Sequence, residues 1–350
     1  MNRYDERYDF YFAKAEDIDD IMEYIDTVWK KGHILATDRE FFEYEFRDGE
    51  DVHFLIARDR LHNNIIAAIN GYYPCSKDKE HFDIWGCMWS ARKDNQDMPM
   101  LGVEVGKRLY NLGHRSETGL GNNKNTAVPI QRRFFKDKTG KLEQYYMLNE
   151  QTEYRIADIK EPVFLIGKEY DNNRYCMKRI TDFKEIEENF DFTRFKENVP
   201  YKDGWYINKR FFNHPVYTYE VYGIYNNECG ADSLIDALIT FKKVVIGERS
   251  VLRLVDFTGD KAVIPYLYKD FKGIMTPEIE YIDFYCYGFE EDALNKAGFI
   301  KRTGQDINII PNYFDPFVRE NVDIWFNTTQ QEGITICKAD SDQDRPNRRV

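Results

Sequence analysis

The sequence predicts an α+β protein built from two successive copies of one strand-and-helix unit. Three observations point there. The chain has 350 residues, and at roughly 150 residues per domain that length suggests two cores. Aromatic residues make up 16% of it, which excludes the disorder of weakly apolar chains. The order of strand and helix signals in residues 1–150 recurs, without obvious sequence identity, in residues 201–350.

The first copy opens with a strand over Tyr8–Ala13. Ile18, Ile21, Met22, Ile25, Val28 and Trp29 then recur at helical spacing, and Lys31-Gly32 ends that helix. Phe41, Phe42, Tyr44 and Phe46 make a short aromatic helix. Strands follow at Val52–Ala57 and Ile65–Tyr72 across a polar turn, then at Phe82–Ser90. Gly102–Leu112 reads as a helix, Ser116–Gly121 as a strand and Asn125–Phe135 as a helix. The turn Asp137–Gly140 leads into a closing strand, Leu142–Leu148.

Residues 151–200 are charged and read as a linker with connecting elements, a strand at Pro162–Ile166 and a short helix at Phe183–Phe190. The second copy has strands at Tyr217–Tyr225 and Ser250–Phe257 with a helix, Ser233–Phe241, between them. A helix at Val263–Ile274, a strand at Glu280–Tyr287 and a helix at Glu290–Ala297 come next. Strands at Ile300–Ile309 and Val322–Phe326 close the unit.

Charge bounds the partners. Forty-nine Lys and Arg face 61 Asp and Glu, a net charge of −12, so no cation field is spare to coat nucleic acid. No apolar run approaches the roughly 18 residues of a membrane span. The charged start, Met1–Arg7, lacks the apolar core of a secretion signal, and the expected compartment is the cytoplasm. Six cysteines lie far apart without a Cys-x-x-Cys pair and read as reduced thiols. The six histidines are scattered, so no zinc site has ligand spacing and no metal is expected. Asp340, Asp342 and Asp344 have the spacing of a calcium loop, but Arg345 stands where that loop needs glycine. The polar tail is read as salt-bridged by its arginines, or as folded back to an acceptor site.

Two passages carry a resemblance. Asn122–Phe135 followed by Thr139–Met147, and Glu280–Phe284 followed by Ala293-Leu-Asn-Lys-Ala-Gly-Phe299, resemble the fifth strand, fourth helix and return strand of the GNAT acyltransferase superfamily. The resemblance implies tandem GNAT-like domains at 1–150 and 201–350, each a mixed, splayed sheet flanked by helices. They are similar to two-domain proteins of bacterial surface-polysaccharide gene clusters. It further implies acetyl-CoA or another acyl-CoA as co-substrate. In the first domain Met88, Ser90, Leu101, Gly102, Val103, Asn122 and Asn125 would hold the coenzyme, and in the second Thr258 and Gly259. The phosphate-binding turn departs from the family pattern, since Asp97 and Glu104 beside Gly102 would repel a diphosphate. Asp256-Phe-Thr-Gly-Asp260 is equally acidic. Coenzyme binding and a degenerate turn that only packs both remain open.

The GNAT sheet parts between its fourth and fifth strands, which in the second domain places Asp256, Tyr281 and Asp283 at the gap. A carboxylate there could take the amine proton and the tyrosine could protonate the thiolate. His33, after the first helix, and the set Arg210, His214, Tyr217 and Tyr219 are candidates for holding the acceptor, with Arg on a phosphate and Tyr on a ring. The expected function is N-acyl transfer to the amine of a sugar-like or nucleotide-linked acceptor in surface-glycan synthesis. The alternatives are a non-catalytic binding or scaffold protein, or aminoacyl transfer from charged tRNA, against which the acidic balance argues.

Overall fold

A computed structural model describes residues 2–93, 98–168, 174–226 and 234–349. The strands in chain order are β1 (Tyr8–Lys14), β2 (Arg47–Asp48), β3 (Asp51–Asp59), β4 (Ile65–Pro74), β5 (Asp83–Ala91), β6 (Ser116–Leu120) and β7 (Lys138–Lys141). Then come β8 (Glu143–Leu148), β9 (Tyr175–Ile180), β10 (Glu220–Asn226), β11 (Ile235–Ile246), β12 (Arg249–Gly259), β13 (Ile279–Tyr287) and β14 (Ile300–Lys301). A small hairpin, β15 (Tyr313–Phe314) with β16 (Phe317–Val318), precedes β17 (Trp325–Thr328) and β18 (Ile336–Cys337).

Two compact units form. The first holds Met1–Gly140, Trp325–Gln331 and Ser341–Val350; the second holds Lys141–Ile324 and Glu332–Asp340. The sheet of the first runs β1-β3-β4-β5-β6-β17-β7, with β2 on β3. The second runs β14-β8-β13-β12-β11-β10-β9, with β18 on β13. Each sheet has one central parallel pair, β5 with β6 and β12 with β13. Each sheet therefore takes one strand from the other half of the sequence. β17 lies between β6 and β7, and β8 lies between β13 and β14.

That exchange differs from the sequence reading, which closes the first unit with Leu142–Leu148. The turn before it suggested a strand that stays in the same sheet, but β8 pairs with β13, Tyr281 opposite Leu148 through Cys286 opposite Glu143. The expected linker is also structural, because β9 is the edge strand of the second sheet, paired to β10. The helix expected at Ser233–Phe241 is the strand β11, its described part buried on both faces. Such a continuous apolar run carries no period that separates helix from strand. Pro162–Ile166 forms no strand, and Ile300–Ile309 keeps only β14.

In the first unit the helix Leu101–Leu109 packs Leu101, Val105 and Leu109 against Leu55, Ala57, Tyr72 and Ile84 on one sheet face. The other face meets the helix Arg39–Phe46, with Phe46 stacked on Tyr73 and Phe42 on Phe54. The second unit has a larger core around Phe241, Phe271, Phe284 and Phe299. Among the described residues no helix is long and apolar enough to cross a membrane.

Candidate functional site

In the first unit the parallel pairing of β5 with β6 runs only from Asp83↔Ser116 to Gly86↔Gly119. Beyond it β5 continues to Ala91 while β6 ends at Leu120, and a cleft of about 290 Å³ lies there. β5 lines it with Cys87, Met88 and Trp89, the helix Leu101–Leu109 with Gly106, β6 with Glu117 and β4 with Asn70, and Tyr110, Phe135 and Asp342 complete the wall. Trp89 and Tyr110 pack on the ring of Phe135 at 5.8 and 6.1 Å. Phe135 explains Gly106: a Cβ there would stand 2.6 Å from the ring.

Amides dominate the polar part. Asn122 Nδ2 donates to Asn327 Oδ1 at 2.7 Å, and Asn327 Nδ2 donates to Asp137 Oδ2 at 2.7 Å. Burial pushes the Asp137 carboxyl up to about 6, against its bond from Asn327. The Glu117 side chain is 14% exposed and its nearest cationic candidate, His114 Nε2, is 3.7 Å away. Burial, with Asp137 adding repulsion, pushes the Glu117 carboxyl up to about 8. It therefore carries its proton at neutral pH. Burial lowers His114 in turn, so this corner of the cleft is held neutral.

Gly102 is the second residue of the helix Leu101–Leu109, whose N-cap Met100 is left-handed at φ 71°. The Trp89 indole donates to the Gly102 carbonyl at 2.7 Å, tying the helix start to the cleft wall. The amides of Leu101, Gly102 and Val103 precede the first helical bond, from Glu104 N to Met100 O, and suit an anion. The expected repulsion from Glu104 is reduced, because its carboxylate is paired with Arg108 at 2.8 Å. Asp97 lies outside the described residues. Of the residues expected to hold the coenzyme, Met88 and Asn122 line the cleft. Leu101 and Val103 point into buried packing, Ser90 contacts the Tyr24 hydroxyl at 3.3 Å and Asn125 is exposed.

The second unit parts in the same place and is filled. Parallel pairing of β12 with β13 stops at Leu254↔Phe284. β18 then pairs with β13 through Cys286↔Cys337, and Ala339 N donates to Val255 O at 2.8 Å. The chain's own segment thus bridges the two diverging strands by main-chain bonds. The three expected catalytic groups are structural here. Lys202 binds the Asp256 carboxylate and lies 2.7 Å from Asp340, and Thr258 also donates to Asp256. Burial works against the Lys202 charge, but the two aspartates hold its pKa well above the usual lysine range. Burial and Asp256 push Asp340 up, against the pull of Lys202. Asp256, Cys337 and Asp340 have metal-ligand proximity, but the lysine ammonium already sits on both carboxylates. Asp283 takes Arg253 at 3.0 and 2.7 Å and Gln144 at 3.3 Å. Asp256 and Asp283 each have a cation, so neither is the open carboxylate that was expected to take the amine proton. Tyr281 is fully buried in a core with Tyr146 and Val251, its hydroxyl without a partner. Thr258 and Gly259 line only a 30 Å³ crevice. Gly259, at φ 126°, is required because a Cβ would stand 2.5 Å from Asp236 O.

The expected acceptor residues are also drawn into packing. His33 is buried, its Nδ1 caps the helix Ile34–Thr37, and burial with Arg345 and Lys30 lowers it to about 3. It is neutral and poorly suited to act as a base. Arg210 is buried and donates to Ala339 O at 3.3 Å. His214 Nδ1 accepts from the amides of Val216 and Tyr217 and its ring stacks on Tyr217, with Tyr219 edge-on at 5.7 Å. These four build a turn. Of the residues that the cleft does assemble, Asn70, Tyr110, Glu117, Gln131 and Asn327 were not singled out, and Asp342 was weighed only within the calcium-like spacing of the tail. Only Glu117 left a signal, a carboxylate inside the short strand Ser116–Leu120.

Comparison with known proteins bears on the fold. No model of a known protein family matches the chain, and no curated protein matches it in sequence. Among solved structures, a GCN5-related N-acetyltransferase from Anabaena variabilis superposes with a TM-score of 0.55 at 8% identity, over 92% of this chain and 72% of that one. A GCN5-related N-acetyltransferase from Sphaerobacter thermophilus gives 0.37 at 8%, over 92% and 95%. Saccharomyces cerevisiae N-myristoyltransferase, with myristoyl-CoA and inhibitors bound, gives 0.40 at 10%, over 92% and 79%. The first of these, with the two strand orders above, establishes the expected α+β architecture of two tandem GNAT-like folds.

Proposed function

We propose that the chain is an N-acyltransferase that moves an acyl group, acetyl in the simplest case, from an acyl-CoA thioester to an amine, and that the first unit does the chemistry. The single observation behind this is the contrast between the two partings of strands. The gap between β5 and β6 is an open cleft, whereas that between β12 and β13 is bridged by Ile336–Ala339. A coenzyme A arm carries two amides and suits the edge of β5 at Met88–Ser90, and the amides at Leu101–Val103 suit its diphosphate.

The amine nitrogen attacks the thioester carbon, the C–N bond forms, and the C–S bond breaks with its electron pair on sulfur. Glu117, which lines the cleft and is protonated below about pH 8, gives its proton to that thiolate, whose ordinary pKa is about 8.5. The acceptor's ammonium first gives one proton to water to free its lone pair, the nitrogen loses a second to water after attack, and one of the two reloads Glu117 through the solvent. The carboxamides of Asn70, Asn122, Asn123, Gln131 and Asn327 along the cleft support a hydroxylated acceptor, sugar-like or nucleotide-linked, of the kind consumed in surface-glycan synthesis.

Calorimetric titration with acetyl-CoA tests the reading. Saturable micromolar binding is expected, weakened at least tenfold, about 1.4 kcal/mol, by Gly102→Trp, whose Cβ would already touch Ala91 and Trp89 at 3.7 and 3.8 Å and whose ring adds bulk beside the helix start. Silence up to millimolar acetyl-CoA would leave a non-catalytic binding protein instead.

A further inference from the structure

We infer that Asp342, on the segment that follows β18, recognises the ammonium group of the acceptor, so that the cleft selects amino sugars over their neutral counterparts. The inference rests on reading the cleft as an acyl-transfer site, and its observations are separate from those that carry that reading.

The segment Ser341–Arg349 is seated on the first unit by specific contacts. Ser341 Oγ donates to Gly86 O at 2.7 Å, at the last residue pair before β5 and β6 part. Arg345, its side chain 3% exposed, donates to Glu45 Oε2 at 3.1 Å and to the Tyr73 hydroxyl. The Asn347 carbonyl accepts from Ile34 N at 2.9 Å, and its side chain accepts from Lys30 at 2.8 Å. These anchors fix Asp342 in the cleft wall.

Charge bookkeeping then gives Asp342 its role. Arg345 serves two carboxylates, Glu45 at 3.1 Å and Asp342 at 3.8 Å. Arg345 stands nearer Glu45 than Asp342 and so screens the Asp342 carboxylate only in part. Glu45 is almost fully covered while the Asp342 side chain is 18% exposed, so Asp342 is the carboxylate that a ligand in the cleft can reach. Gln343 donates only a neutral amide to Asp342, at 3.2 Å. His33, packed nearby, is neutral and offsets nothing. An ammonium is the small cation that an amine acceptor brings, and a carboxylate in a partly enclosed wall attracts it more strongly than one in open water. The neighbouring carboxamides of Asn70 and Asn122 suit the hydroxyl groups of the same molecule.

The test uses the full chain with glucosamine and glucose as probes, binding being followed by ligand-observed NMR in the presence and absence of acetyl-CoA. The wild type is expected to bind glucosamine at least tenfold more tightly than glucose. Asp342→Asn should abolish that preference with acetyl-CoA affinity unchanged, and Asp342→Glu should keep part of it. On unaltered protein the preference should also shrink as salt rises, which needs no variant to fold. A preference that survives in Asp342→Asn, or a wild type that binds acetyl-CoA yet treats the two sugars alike, overturns the inference. An Asp342-dependent preference without acetyl-CoA binding supports it and overturns only the acyl-transfer reading.

Discussion

A carboxyl group that keeps its proton to about pH 8 has two measurable effects. Glu117 binds a proton more tightly in the fold than in the unfolded chain, so its contribution to stability falls as pH rises from its ordinary range toward 8. Glu117→Gln removes that liability. Thermal unfolding above pH 8 should find the variant more stable, by an amount on the order of a few kcal/mol, with little difference near pH 4. If Glu117 donates the proton to the thiolate, as proposed, turnover should decline above about pH 8 in the wild type. In Glu117→Gln turnover should drop at least tenfold, read as thiol release from acetyl-CoA. Asp283 belongs to stability instead. Asp283→Asn leaves Arg253, 2% exposed, without its counter-charge, at a cost of about 3–5 kcal/mol in denaturant unfolding. Neither role can be read from residue type. A Glu in a strand and an Asp in a strand look alike until the fold supplies one with a guanidinium and denies it to the other.

Single elements were legible where the pattern is local. The helix Leu101–Leu109, with its glycine in the first turn, and the strands from Tyr8 to Leu120 follow from apolar spacing and turn residues. β11 was not, because burial on both faces erases the period. Nor was the fate of β8, since the turn at Asp137–Gly140 is equally compatible with a hairpin and with two strands that enter different sheets. The exchange makes a prediction about fragments. Residues 1–150 alone would lack β17 between β6 and β7 and would carry β8 with nowhere to pair. An unpaired apolar strand templates association, so size-exclusion chromatography should find this fragment more aggregated than the full chain.

For the whole chain, the two-unit α+β architecture was readable from the recurrence of element order, and the position of the candidate site was not. The sequence directed attention to Asp256, Tyr281 and Asp283, and nothing in it reveals that Ile336–Ala339 bridges the strands beside them. Which short polar stretch enters which gap depends on contacts between residues far apart in sequence. Because each sheet depends on a strand from the other half, calorimetric unfolding is expected to give one transition and not two.

The same exchange fixes when the protein can be finished during its own synthesis. A ribosome that has made residue 141 has delivered six of the seven strands in the main path of the first sheet, but the end of β17 is still 187 residues away (328 minus 141). At about 5–20 residues per second that is roughly ten to forty seconds. Through that interval the edges of β6 and β7 that β17 will join stay open on the nascent chain, and the cleft beside them lacks Asn327 and Asp342. Early closure of the N-terminal half, the usual protection of a two-domain chain on the ribosome, is therefore denied to this one, and a chaperone that shields exposed strand edges has a defined window in which to act.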